Sequence, residues 1–148
     1  MDMIQDQIKV TGELKITVTN DEGNVKKEII VPNIVVTAGK AYIASRMKDA
    51  SATAMSHMAI GTGSTSAAAG NTALETEAGR VALTSTTVTS NAVAYVATFP
   101  AGTGTGAVTE AGILNASSNG TLLCRTVFSV INKGAADTLG ITWTVTVN

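Results

Sequence analysis

The strongest pattern of apolar and polar positions lies near the end of the chain, at residues 138–147. Ile141, Trp143 and Val145 alternate there with single threonines such as Thr142. Successive side chains of a strand point to opposite faces of a sheet, so this alternation indicates a strand with one buried face. We predict an antiparallel strand over these residues, with a hydroxyl-lined outer face.

A second alternating pattern, near the N-terminus, predicts a β-hairpin. Residues 14–19 alternate without a break, and residues 25–31 form a second extended run. Between them, residues 21–24 contain the Asp, Gly and Asn that favour a turn. Pro32 ends the second run, and residues 34–36 are expected to continue in an extended conformation.

One segment, residues 38–48, has the spacing of a helix rather than of a strand. Tyr42, Ile43 and Met47 fall on one side of a helix over this range. Thr37 precedes the segment and is predicted to be its N-cap, because a threonine hydroxyl can accept a bond from the first free N–H groups.

The chain from residue 80 onward is predicted to be β to its end. Besides the last strand, we expect strands at residues 81–89, 93–99, 107–115 and 121–131. Asn119-Gly120 favours a type I′ hairpin turn before the last of these four.

Short strands at this spacing indicate a sandwich or a barrel. The expected fold is therefore mostly β: an antiparallel β-sandwich or barrel-like domain with one short α-helix near residues 38–48. A length of 148 residues suits one domain. We place this single domain at residues 12–148 and an N-terminal arm at residues 1–11.

Composition adds information about the surface and the core. Charged residues make up 14% of the chain, against ~25% in an average soluble domain, so the surface is expected to be neutral and hydroxyl-rich or covered by partners. Aromatic residues make up only 3%, so subunit contacts could add stability that a light core lacks. A net charge of −1 disfavours nucleic-acid binding, and no apolar run is long enough for a membrane helix.

Reactive side chains are scarce. His57 is the only histidine and Cys124 the only cysteine. Both have apolar neighbours, so we interpret His57 as a core or interface residue and Cys124 as a buried, inert thiol. The glycine-rich segments 61–63 and 102–106 lack the Lys-Ser/Thr of a phosphate-binding loop, and we predict turns there. We therefore expect no enzymatic activity, cofactor or metal.

One carboxylate, Glu110, falls inside a predicted strand. Arg80 or Arg125 could supply a cation for it. We favour a structural ion pair at a sheet end or a subunit boundary, with Arg80 and Glu110 as the candidate pair, because no neighbouring residues indicate general-acid chemistry.

The N-terminal arm contains three apolar residues, Ile4, Ile8 and Val10, among polar ones. One interpretation is a frayed terminus. The other is an arm that adds a strand to the open sheet edge of a neighbouring molecule, with these three residues binding the partner.

Several stretches of the chain carry a resemblance to known proteins: residues 33–40 (NIVVTAGK), 55–63 (MSHMAIGTG), 109–113 (TEAGI), 122–128 (LLCRTVF) and 141–145 (ITWTV). Together they resemble small virion structural proteins of tailed bacteriophages. The resemblance extends over about residues 12–147 and consists of packing and turn motifs. Proteins of that group are capsid decoration (cement) proteins or β-domains of tail fibres and baseplates.

The resemblance implies a virion part that assembles in the bacterial host cytoplasm. We favour a capsid decoration protein, a homotrimer on the capsid surface that binds the major capsid protein, because the chain has no collagen-like or coiled-coil shaft. The alternative is a tail-fibre or baseplate module that contacts a host glycan or another tail protein. A small hydrolase is the third hypothesis, from a different class.

Overall fold

The computed structural model describes residues 6–148. Within that range the chain forms ten β-strands and one α-helix, and the strands make two packed antiparallel sheets. This arrangement confirms the predicted mostly β, sandwich-like fold. The elements are β1 (Val10–Thr19), β2 (Val25–Pro32), β3 (Ile34–Val35), α1 (Thr37–Lys48), β4 (His57–Gly61), β5 (Glu77–Ala82), β6 (Ser85–Thr89), β7 (Ala92–Phe99), β8 (Gly106–Leu114), β9 (Leu122–Lys133) and β10 (Thr138–Val147).

Each sheet has five strands. Sheet A has the order β2-β1-β10-β7-β6, and sheet B has the order β3-β9-β8-β4-β5. In sheet A, β1 pairs with β10 along its whole length, from Val10 opposite Val147 to Thr19 opposite Thr138. The first and last described strands are therefore neighbours inside sheet A.

One hydrophobic core fills the space between the sheets. Leu14, Ile16 and Val18 of β1 are buried in it, and so are Ile141 and Trp143 of β10. The residues between them on each strand point to the other face of the sheet, as the alternation predicts. The predicted last strand and β10 have the same bounds.

A smaller apolar cluster covers the outer face of sheet B. Met58 and Ile60 of β4 belong to the core between the sheets, so Ala59 between them faces the other way. The cluster consists of Val36, Ala59, Leu74, Leu114 and Leu122. Leu74 comes from the connection between β4 and β5, which we call the 62–76 segment, and this segment therefore lies on the outer face of sheet B.

The chain crosses from sheet A to sheet B at Asn33, which is anchored in the core. Trp143 Nε1 donates to Asn33 Oδ1 at 2.8 Å. A Cβ at Gly12 would lie 1.9 Å from the same oxygen. Glycine at position 12 therefore makes room for the amide that satisfies the buried indole.

The prediction of one continuous strand at residues 81–89 is wrong, because two strands share this range. Its first part belongs to β5 in sheet B and its second part is β6 in sheet A. At the crossing, Leu83 N donates to Ser56 O at 2.9 Å and Thr84 N donates to Val96 O at 2.7 Å. The backbone thus keeps hydrogen bonds to both sheets while it crosses, and it needs no Gly, Pro or Asn that would reveal a break.

The prediction of the helix placed its C-terminal end correctly at Lys48 but named the wrong N-cap residue. It begins at Thr37, and its N-cap is Val36, which provides no side-chain hydrogen bond among the described residues. Gly39 is buried, and a Cβ there would lie 2.1 Å from Leu123 O, so the helix rests directly on β9. Met47, predicted on the packed side, is 85% exposed.

The hairpin predicted at Asn119-Gly120 exists, but its loop is wider than a two-residue turn. Asn119 has φ 53° and Gly120 has φ 80°, the left-handed values that a type I′ turn requires. The loop closes at Asn115 and Thr121, where Thr121 N donates to Asn115 Oδ1 at 2.7 Å. The Asn-Gly pair therefore forms the tip of a longer loop between β8 and β9.

Candidate functional site

A fully buried carboxylate, Glu110, lies on the outer face of sheet B. Its Oε1 accepts bonds from Arg125 Nε at 3.0 Å and Glu75 N at 2.8 Å. Its Oε2 accepts bonds from Gly63 N and Thr76 N, both at 2.7 Å. Three of these donors are backbone N–H groups of the 62–76 segment, so the carboxylate fixes that segment onto the sheet.

The predicted pairing of Glu110 with Arg80 is wrong, because Arg125 occupies that position. Arg125 lies on β9, beside β8, whereas Arg80 lies on β5, and β4 separates β5 from β8. Strands are ~4.8 Å apart, so Arg80 starts about two strand spacings away. It pairs with Glu77 instead, at 2.7 Å, and also donates to Ala116 O at 2.8 Å.

The turn predicted at residues 102–106 is confirmed, but the one predicted at residues 61–63 is wrong: Gly61 belongs to β4, and the backbone of Gly63 binds a carboxylate of the protein itself. A Cβ at Gly63 would lie 2.3 Å from Glu110 Oε2. Position 63 must therefore stay without a side chain for its N–H to reach the carboxylate. In the second segment, Gly102 and Gly104 have φ values of 86° and 68°, as turn glycines do.

His57 and Cys124 occupy different environments. Cys124 is fully buried in the core, and burial raises the pKa of its thiol well above the usual range. A thiol that stays protonated is a poor nucleophile, in agreement with the predicted inert cysteine. His57 is half-buried on β4, with Nδ1 2.8 Å from Ser56 Oγ. Within residues 6–148, no group of three or more His, Cys, Asp or Glu side chains is placed to hold a metal ion.

A polar contact between β2 and the connection from β9 to β10 was not found from the sequence. Asp137 lies after β9, and it accepts bonds from Lys26 Nζ of β2 and from Gly134 N. The Lys26 side chain, followed by the Gly134 N–H, holds the pKa of Asp137 below its usual value. Lys26 and Asp137 are 111 residues apart in the chain, so no local spacing could have indicated their contact.

The three arm residues have different positions. Ile4 lies outside the described residues. Ile8 is 75% exposed, and its role in binding a partner stays a prediction. Val10 belongs to β1, opposite Val147, and packs against the core, so the predicted boundary of the arm at residue 11 is wrong. Sheet A includes residues 10 and 11 because β10 is long enough to pair with them.

A surface pocket of about 380 Å³ adjoins the start of β1. Its lining residues are Ile8, Lys9, Val10, Thr11, Lys40 and Ile43. It lies between the start of β1 and helix α1 and is lined by apolar side chains and two lysines.

The four edge strands of the two sheets differ in how well they are protected. Lys26 and Lys27 lie on β2, which ends with Pro32. A pair of charges, Glu77 and Arg80, lies on β5, and β3 has only two residues. Charge, proline and short length are the usual means by which proteins prevent an edge from pairing. Strand β6 has neither a charge nor a proline, and its five residues are all exposed.

The outer face of sheet A next to β6 is also uncharged. Strands alternate their side chains, so the residues opposite the core can be read from the register. On three strands these residues are Thr142, Thr144 and Thr146 of β10, Ala92, Ala94, Val96 and Thr98 of β7, and Ser85, Thr87 and Thr89 of β6. All are exposed or half-buried. The sandwich thus presents a surface of hydroxyl and small apolar groups here.

The fold and these surfaces define a mostly β, two-sheet sandwich. Among the described residues no helix is long and apolar enough to span a membrane. Comparison with protein-family models, with curated proteins and with solved structures found no match. Function is therefore inferred from the contacts and surfaces of the chain itself.

Proposed function

We propose that the protein is a structural component of a bacteriophage virion, namely a capsid decoration protein that binds the major capsid protein as a homotrimer and stabilises the shell. Its role is mechanical and requires no catalysis. The observation that supports this proposal best is the uncharged outer face of sheet A on β6, β7 and β10. The family resemblance supplies the virion context.

An uncharged face of this kind suits permanent burial against another protein. Burying a charge without a partner costs several kcal/mol, whereas hydroxyl groups can exchange water for hydrogen bonds across an interface. Alanine loses no rotamer freedom on burial, and short side chains lose little. A face rich in Thr, Ser and Ala can therefore associate at low cost in desolvation and entropy.

A trimer would multiply such contacts. Each copy could bind one capsid subunit weakly, and joining three copies makes the second and third contacts intramolecular. The trimer would then hold neighbouring capsid subunits together. The buried Glu110–Arg125 pair and the Lys26–Asp137 contact support this role because they hold loops and sheets in fixed positions.

A binding assay with shells that lack the protein tests the proposal. Purified protein is added to such shells, bound copies are counted, and the particles are imaged. We expect hundreds of copies over the capsid lattice. A few tens of copies at the tail would replace the proposal with the tail-fibre or baseplate alternative, and no binding to any virion part would contradict both.

Two matched variants assign the contact to the outer face of sheet A. Ala94→Lys places a charge in the middle of that face, between Thr144 and Thr87, and Ala101→Lys places the same charge on the exposed turn after β7. We expect shell binding to weaken by about tenfold or more, or ~1.4 kcal/mol, for Ala94→Lys only. Equal binding by both variants would exclude this face as the contact.

A further inference from the structure

Strand β6 has one paired side and one open side. It pairs with β7 from Ser85 opposite Val96 to Thr89 opposite Ala92, and no other described strand lies beyond it in sheet A. A two-residue loop makes the closing pair of a hairpin, here Thr89 with Ala92, a hydrogen-bonded pair. Alternation then directs the backbone N–H and C=O groups of residues 86 and 88 outward, to the open side.

The chemistry of this edge identifies its partner as another β-strand. Outward N–H and C=O groups in alternation are matched by the same groups of an extended chain. The side chains add no charge, since β6 has the sequence Ser-Thr-Thr-Val-Thr. Val88 is 69% exposed although it stands opposite Val93, which packs against the core. A strand added at this edge would cover Val88 and extend the core.

We propose that β6 pairs antiparallel with β6 of a second copy of this chain, around a two-fold axis at Thr87. The edge is complementary to itself in this register. Thr86 of one molecule stands opposite the partner's Val88 and exchanges both backbone hydrogen bonds with it, and the symmetry repeats this pair. Thr87 stands opposite the partner's Thr87, an uncharged pair of a kind that strands favour.

The other edges are poor candidates for such self-pairing. Antiparallel pairing of β2 with itself would bring the lysines at positions 26 and 27 of the two copies close together and would meet Pro32, which cannot donate. The charges of β5 and the two-residue length of β3 disfavour those strands as well.

This pairing rests on the proposed self-association. The two-fold contact between β6 strands differs from the three-fold contact of the proposed trimer. A two-fold pairing joins molecules in twos, so it would link two monomers or two trimers. The two sheets A would become one continuous sheet across the axis.

Opposite charges at position 87 test the pairing. Thr87→Lys and Thr87→Glu each place like charges directly opposite one another across the axis, and like charges there are destabilising. We expect each variant alone to dissociate at a concentration at least about tenfold higher than the wild type. An equimolar mixture of the two should restore the pair, because a cation then faces an anion. Sedimentation velocity measures all three states.

A second variant and a control guard against misfolding. In Val88→Pro the lost N–H is one that points outward, so the bonds to β7 remain while the pairing is blocked. Ala101→Lys adds a charge to the exposed turn after β7, away from the open side of β6, and should leave the pair intact. Circular dichroism confirms that each variant is folded.

Several outcomes would overturn the pairing. They are a wild type that is monomeric or solely trimeric at every concentration, Thr87 variants that associate like the wild type, and a mixture that fails to associate. If the pairing fails while shell binding persists, the proposed function stands. If pairing is found and shell binding is absent, the inference stands and the proposed function fails.

Discussion

Glu110 shows how one side chain determines the position of a long connection. Its carboxylate is satisfied by one guanidinium nitrogen and three backbone N–H groups, and it has no exposed surface. In other proteins, replacing both members of a buried ion pair with apolar residues of similar volume often costs little stability. Removal of one partner alone is different, because the other charge stays buried without compensation.

Breaking the Glu110–Arg125 pair should strongly destabilise the fold. We expect Glu110→Gln and Arg125→Met each to lower the free energy of unfolding by about 3–5 kcal/mol. The double variant should lose less than the sum, because neither charge then lacks its partner. Urea denaturation measures all three. Glu77→Gln, in the more exposed pair with Arg80, is the control and should cost about 1 kcal/mol or less. Additive losses would contradict the coupling.

Asp137 should contribute to the pH dependence of stability. Its pKa is lowered in the folded protein by Lys26 and then by the Gly134 N–H, so the unfolded chain binds a proton more readily. The contribution is therefore present above the unfolded pKa of about 3.9 and is lost as pH falls through the folded value. We expect Asp137→Asn to be less stable at neutral pH and to lose less stability on acidification. Thermal melts from pH 7 to pH 2 test this.

The control for this experiment is Asp21→Asn in the exposed turn between β1 and β2. Its curve should parallel that of the wild type. Parallel curves for the wild type and Asp137→Asn would show that the contact with Lys26 does not stabilise the fold.

At the scale of elements, periodicity predicted the strands well and their partners poorly. β10 was found with its bounds because Trp143 and its neighbours alternate strictly. The crossing at Leu83 and Thr84 was missed because both residues remain extended and hydrogen-bonded. From strand positions alone, either Arg80 or Arg125 could be the partner of Glu110. The choice depends on strand order in sheet B, which the alternation of side chains does not contain.

Helix α1 is held against β9 by the lack of a side chain at Gly39. A Cβ there would meet Leu123 O, a backbone atom that cannot turn aside. We expect Gly39→Ala to cost about 1–3 kcal/mol through displacement of the helix. Gly70→Ala is the matched control, since a Cβ at Gly70 meets nothing within 4 Å. Equal unfolding free energies of the two variants would show that the helix can move without loss.

At the scale of the whole molecule, the apolar interior is complete and the exterior is weakly charged. The outer faces of β6, β7 and β10 add no charge, which agrees with the 14% of charged residues in the sequence. The composition predicted a weakly charged surface, but it could not show where on the molecule that surface lies. Its position depends on which strands lie side by side in sheet A, and that order appears only in the folded chain.

Association should make the stability of the protein depend on its concentration. A partner that binds only the folded state stabilises it by RT ln(1 + [L]/Kd). We expect the midpoint of thermal unfolding to rise with protein concentration for the wild type, and to rise less steeply for the Thr87→Lys variant over the same range. Scanning calorimetry at several concentrations is the measurement. A constant midpoint for the wild type would contradict self-association.

The pairing of β1 with β10 also bears on the order in which the protein can fold. A ribosome makes β1 early and β10 last, and the hairpin of β1 and β2 must wait for its second neighbour until synthesis has passed residue 138. Until then Leu14, Ile16 and Val18 have no Trp143 to cover them. Sheet A is thus completed only after translation of β10, and until then the hairpin of β1 and β2 exposes an apolar face.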